Sequence, residues 1–151
     1  MKNLFYPIVV CLLLCGISPS RAQKSVGNIA SQPLWGPTGY NNVEYYFIPD
    51  ISAYYNVEMK KFIYQENGKW IFSENLPAAY KDYDLYTGYK VVINRPQPYL
   101  NFRAHSVRYA NYLGQKNRQV AIVNSTNSKY FVVSGHPQGM SAEEKASINK
   151  E

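Results

Sequence analysis

The stretch FIYQENGKWIFS, residues 62–73, constrains the fold of this chain more than any other. Asn67-Gly68 is the pair that a two-residue type I′ turn prefers, because both central residues of that turn take positive φ. With β-branched and aromatic residues on either side, the pair predicts a β-hairpin, and the turn fixes its register. Glu66 falls opposite Lys69 as an ion pair, Gln65 opposite Trp70, Tyr64 opposite Ile71 and Ile63 opposite Phe72. Side chains alternate along a strand, so Phe62, Tyr64 and Ile71 share one face while Ile63, Trp70 and Phe72 share the other. Both faces are apolar. Such a hairpin needs cover on both sides, from a helix, a second sheet or a partner chain.

The same alternation governs YYFIPDISAYYN, residues 45–56. Tyr45 and Phe47 point one way, Tyr46 and Ile48 the other, so a tyrosine doublet predicts a strand covered or wetted on both sides rather than a wide binding platform. Strands are expected over 43–48, 51–55 and 89–94, and a last pair over 119–123 and 129–133. One helical turn is expected over 77–81. In residues 99–113 the period of two is lost, and Leu100, Arg103, Val107, Ala110 and Leu113 recur at three to four positions. That is helical spacing, with Gly114 to end it. His105 and Arg108, three apart, can share a face. The fold class that follows is mainly β, a small antiparallel sheet with β-hairpins plus one helix, with α+β as the alternative.

Residues 1–22 carry Lys2, an apolar run from Leu4 to Cys15 and then Ser-Pro-Ser-Arg-Ala, the three parts of a secretory signal peptide, with cleavage after Ala22. The run falls short of the ~20 residues a membrane span needs. A lipid anchor on Cys15 or Cys11 is the rival, but Leu14 and Val10 stand where such a site wants a small residue. Both cysteines lie in this leader, so the processed chain has neither disulfide nor thiol and relies on packing. The expected organisation is an extended lead-in over 23–42, one β-rich domain over 43–134 and a polar tail over 135–151, with a frayed helix in 141–148.

Charge is unevenly placed. From Lys24 to Asp84 five basic residues meet seven acidic ones, whereas residues 85–142 hold Lys90, Arg95, Arg103, Arg108, Lys116, Arg118 and Lys129 and no acid. A solvated basic surface is the plain explanation, and an anionic partner such as head groups or acidic glycan the sharper one. Arg95, Arg103, Arg108, Lys116 and Arg118 are the candidate contacts for such a surface.

The inventory offers little for catalysis. His105 and His136 are the two histidines, too few for a two-histidine zinc motif without cysteine. No GxSxG elbow, GxGxxG run or P-loop occurs. Asp82 and Asp84, with Asp50 and Glu44 behind them, are the carboxylates a hydrolase would use, but two acids in one loop lack the opposed placement that glycoside hydrolysis requires. Turn chemistry explains them more simply. Neither a metal site nor a cofactor is expected. Tyrosine and tryptophan also stack on sugars. Tyr83, Tyr86 and Tyr89, in a turn-rich stretch, and Trp35, in the lead-in, are the candidates, because no alternation forces their burial.

The run YYFIPDISAYYNVEMKKFIYQENGKWIFSENLP followed by GYKVVINRPQPY resembles a family of uncharacterised exported, tyrosine-rich proteins of the Gram-negative envelope. In these a Tyr-Tyr-x-x-Pro-x-x-x-x-Tyr-Tyr run precedes an aromatic hairpin with Gly-x-Trp and then Leu-Pro. The resemblance covers roughly residues 43–99 and implies a periplasmic setting, without an activity or catalytic residues. The expected function is a non-enzymatic envelope protein whose basic segment, 85–142, touches an anionic surface, a glycan or another protein chain. Carbohydrate or peptidoglycan binding is the alternative and carboxylate-dependent hydrolysis a lower one. Nucleic acid ranks last, because export separates it from the protein.

Overall fold

A computed structural model describes residues 27–139; the expected leader with both cysteines and the expected helix in 141–148 lie outside them. The Asn67-Gly68 turn has positive φ at both positions, 50° and 74°. It joins β3 (Lys61–Glu66) to β4 (Lys69–Ser73) in the expected register, Ile63 opposite Phe72 and Gln65 opposite Trp70. Glu66 and Lys69 face each other but do not close an ion pair. Among the described residues the one ion pair joins Lys81 and Asp82, at 4.0 Å on the surface.

Strands β1 (Tyr45–Ile48) and β2 (Ala53–Asn56) pair across the 3-10 turn Pro49–Ile51, which takes Ile51 out of the strand expected from it. β2 pairs with β3, and β5 (Val91–Ile93) returns to pair with β1. The sheet is antiparallel throughout, in the order β4-β3-β2-β1-β5. β5 is shorter than expected because Lys90 bonds its backbone to a side chain: its N–H donates to Gln119 Oε1 and its carbonyl accepts from Gln119 Nε2.

The doublets divide between the faces. Phe47, Tyr54, Ile63 and Ile93 form the core on one side, with Tyr45, Trp70, Tyr99, Phe102 and Tyr109 against it. On the other, Ile48, Ala53 and Phe62 pack with Trp35, Leu76, Tyr83 and Leu85, and Tyr46 packs with Val43 and Val57. One cover is the helical run after Pro98; the other is the lead-in together with the crossing from β4 to β5.

Two expectations are corrected. Residues 119–123 and 129–133 are not a strand pair but carry the 3-10 turns Ile122–Asn124 and Ser128–Tyr130. Asn127 accepts from the Lys129 amide and starts a turn where a strand needs extended backbone. Residues 120–123 run instead against the lead-in: Thr38 N–H donates to the Val120 carbonyl, Ile122 N–H to Gly36 and Val123 N–H to Leu34. Thus the lead-in from residue 27 onward is integral to the structure. Secondly, the helix α1 spans Phe102–Arg108, with 3-10 turns Pro98–Asn101 before it and Ala110–Tyr112 after it. The side chains that carry the helical spacing, Leu100, Arg103, Val107, Ala110 and Leu113, are all exposed. Phe102, His105 and Tyr109 turn inward instead, because flat aromatic rings bury more area against an aromatic sheet than leucine or valine does.

Candidate functional site

Pro96 and Pro98 end β5, and Pro98 opens the helical run from a Gln97 with positive φ. This corner sets the helix across the core face and leaves its opposite side to solvent. Leu100 is 65% exposed and Val107 75% exposed, with Ala104 between them. Arg103 and Arg108 border them, and the five residues with Asn101 line one shallow groove. An apolar stripe with basic edges therefore faces outward.

Behind it, where α1 meets the edge strand β5, lies a cavity of about 150 Å³. Its walls include Asn94, Arg95, His105, Arg108 and Tyr109. The His105 ring packs against Phe47 and Tyr109, and its Nδ1 is 2.8 Å from the Tyr54 hydroxyl. Burial first, then the Arg95 and Arg108 guanidiniums, holds its pKa below the ordinary imidazole range. The expected sharing of a face by His105 and Arg108 is met at this cavity, and Arg95 joins them from β5. Asn94 and Tyr109 were missed in the sequence, since the approach of β5 to the helix end is a tertiary contact with no local signal.

The remaining basic candidates are elsewhere. The Lys116 ammonium lies over the Tyr83 ring at 5.7 Å, and Arg118 Nε donates to Gln115 Oε1. Neither lines the groove or the small cavity.

The four aromatic candidates do not assemble into a platform. Trp35 is packed against Tyr46, Tyr55 and Phe62. Tyr83 donates its hydroxyl to Asp50 Oδ2, and burial above all raises its pKa. Tyr89 stacks on Tyr112 with centroids 4.1 Å apart, leaving Tyr86 as the most open of the four. Among the carboxylates, Asp50 accepts from Tyr83 and from the Gly114 amide, Asp84 accepts from the Tyr86 amide, and Asp82 pairs with Lys81. Turn and loop ties occupy Asp50 and Asp84, while Asp82 stands exposed at the surface. His136 is a buried structural residue, its Nε2 3.0 Å from the Ile122 carbonyl.

A larger cleft, about 520 Å³, opens at the end of the sheet between Tyr45, Asn56, Glu44, Glu58 and Lys60. Its lining mixes polar and apolar groups and holds both signs of charge. No helix among the described residues is long and apolar enough to cross a membrane. No family model, curated protein or solved structure matches the chain.

Proposed function

We propose that this is an exported, non-enzymatic envelope protein that rests reversibly on an anionic phospholipid surface through the outer side of α1. The observation that carries the reading is the pairing of exposed Leu100 and Val107 with Arg103 and Arg108 on one face. Apolar side chains at the acyl boundary with cations at the head groups are what an interfacial helix presents. Each arginine near an anionic leaflet contributes about 1 kcal/mol, and each apolar side chain withdrawn from water about 2 kcal/mol. The total suits binding on the order of 10–100 µM, which is reversible.

Cosedimentation of the processed protein with vesicles tests it. Pelleting with phosphatidylglycerol vesicles at low salt, reduced at high salt and absent with phosphatidylcholine alone, is expected; equal pelleting with both lipids, or none, rejects it. A second reading, glycan binding, is favoured by the cleft beside Tyr45, whose mixture of aromatic, amide and carboxylate groups suits hydroxyl-rich ligands. Its mark is pelleting with peptidoglycan sacculi that survives high salt.

A further inference from the structure

We propose that the small cavity between β5 and the end of α1 is a site for a compact oxyanion, the phosphate group of a lipid head group or free phosphate, gripped by Arg95 and Arg108. The inference deepens the surface reading above and rests on it for the lipid as source, though not for the site itself.

Size limits the ligand first. About 150 Å³ is the space of roughly five waters, enough for a phosphate group and below the ~300 Å³ of pockets for drug-sized molecules. Sign limits it next. Arg95 follows the edge strand and Arg108 closes the helix, so two separate elements bring arginines to one cavity, both close enough to bear on the charge of His105, and no carboxylate lines it. Neither arginine meets a carboxylate elsewhere among the described residues. Guanidinium presents planar, paired donors that match phosphate oxygens, so two of them can hold one anion from two directions.

The cavity wall supplies a further donor. His105 has its Nδ1 engaged by Tyr54, while its Nε2 has no hydrogen-bond partner among the described residues. Every buried side-chain polar atom described has a partner. Nε2 therefore keeps contact with solvent, and the cavity that His105 lines provides it. With Nε2 protonated the ring can donate to an anion there. The groups that face the ring are Phe47 of β1, Tyr54 of β2, Arg95 beyond β5, and Arg108 and Tyr109 at the helix end. Two of these are cations and none is an acid, so an anion between the guanidiniums offsets an existing repulsion on the imidazole.

The test follows the His105 ring signals of the processed protein by NMR during titration with inorganic phosphate, against chloride at matched ionic strength. A saturable phosphate response is expected, with the titration midpoint of His105 moved upward. Arg95→Gln and Arg108→Gln should each weaken it tenfold or more, and Arg118→Gln should leave it unchanged. All three arginines are exposed, so thermal melts serve to confirm that the variants fold. Equal responses to phosphate and chloride, or a phosphate response that survives the Arg95→Gln/Arg108→Gln double variant, overturns the site. A parallel arm with phosphatidylglycerol vesicles separates the two readings. A phosphate response without vesicle binding supports the site with a soluble source and rejects the surface reading. Vesicle binding that leaves His105 unmoved by phosphate rejects the site alone.

Discussion

The Tyr54 hydroxyl and His105 Nδ1 stand 2.8 Å apart and join the middle of the sheet to the helix across the aromatic core. Tyr54→Phe keeps the ring and removes the partner, so it should cost about 1 kcal/mol in urea unfolding with the fold retained. The same contact gives a pH dependence. Burial and the two arginines depress the His105 pKa, so between its folded value and the ordinary value of about 6.5 the unfolded chain binds the proton and the folded chain does not. The contribution is complete above about pH 6.5 and is lost as pH falls through that window. Urea midpoints at pH 7.5 and 5.5 should differ in the native protein and differ less in His105→Gln.

Lys90 should produce a dependence at the other end of the scale. It is 2% exposed, and its ammonium donates to the Leu85 carbonyl at 2.6 Å. Burial lowers its pKa to about 8, with Asp84 opposing weakly. Above pH 8 the folded lysine is increasingly neutral while the unfolded one keeps its proton to about 10.4, so stability rises with pH. The gain from pH 8 to 9.5 is about 1.5 kcal/mol, and Lys90→Met should abolish it. Beyond about pH 10 the buried Tyr46 and Tyr54 and the half-buried Tyr83, whose pKa values are raised, reverse the trend because only the unfolded tyrosines ionise.

What was legible in the sequence is local. The Asn67-Gly68 turn demands one backbone conformation, so the hairpin and its register could be read off, and alternation correctly sent Tyr45 and Tyr46 to opposite faces. Helical spacing at 99–113 was also real, but spacing alone does not say which side meets the sheet. Phe102, His105 and Tyr109 recur at the same intervals of three and four as Leu100, Arg103 and Val107, and only the presence of an aromatic sheet favours the first set. The tie between Pro37 and Ala121 spans most of the chain, so residues 23–42 read only as an extended lead-in although Trp35 packs into the core. Trp35→Ala should accordingly cost about 3 kcal/mol, a loss that no loose lead-in would show.

Asp50 gives a prediction that separates structure from chemistry. Its two oxygens accept from the Tyr83 hydroxyl at 2.8 Å and from the Gly114 amide at 2.7 Å, pinning two distant loops to the β1–β2 turn. Asp50→Ala should lower stability by about 2 kcal/mol, because both donors lose a charged acceptor. Gly88→Ala should act on the same tie from the other side. A Cβ there would fall 1.8 Å from the Tyr83 hydroxyl, so the ring must leave Asp50. Since both changes remove the contact between Tyr83 and Asp50, the double variant should lose less than the sum of the singles.

Leu100 and Val107 distinguish an interfacial face from a surplus of surface leucine and valine. As exposed residues they should tolerate aspartate with stability changes within about 0.5 kcal/mol, whereas Phe102→Ala on the inner side of the same helix should cost about 3 kcal/mol. If the outer face meets an anionic leaflet, Leu100→Asp and Val107→Asp each forfeit about 2 kcal/mol of apolar burial and add repulsion, so vesicle binding should fall more than tenfold. Neither residue lines the small cavity, and phosphate binding should be unaffected. Unchanged vesicle affinity in both variants would mean that the arginines act alone, as a screened basic patch, and that the apolar stripe plays no part in attachment.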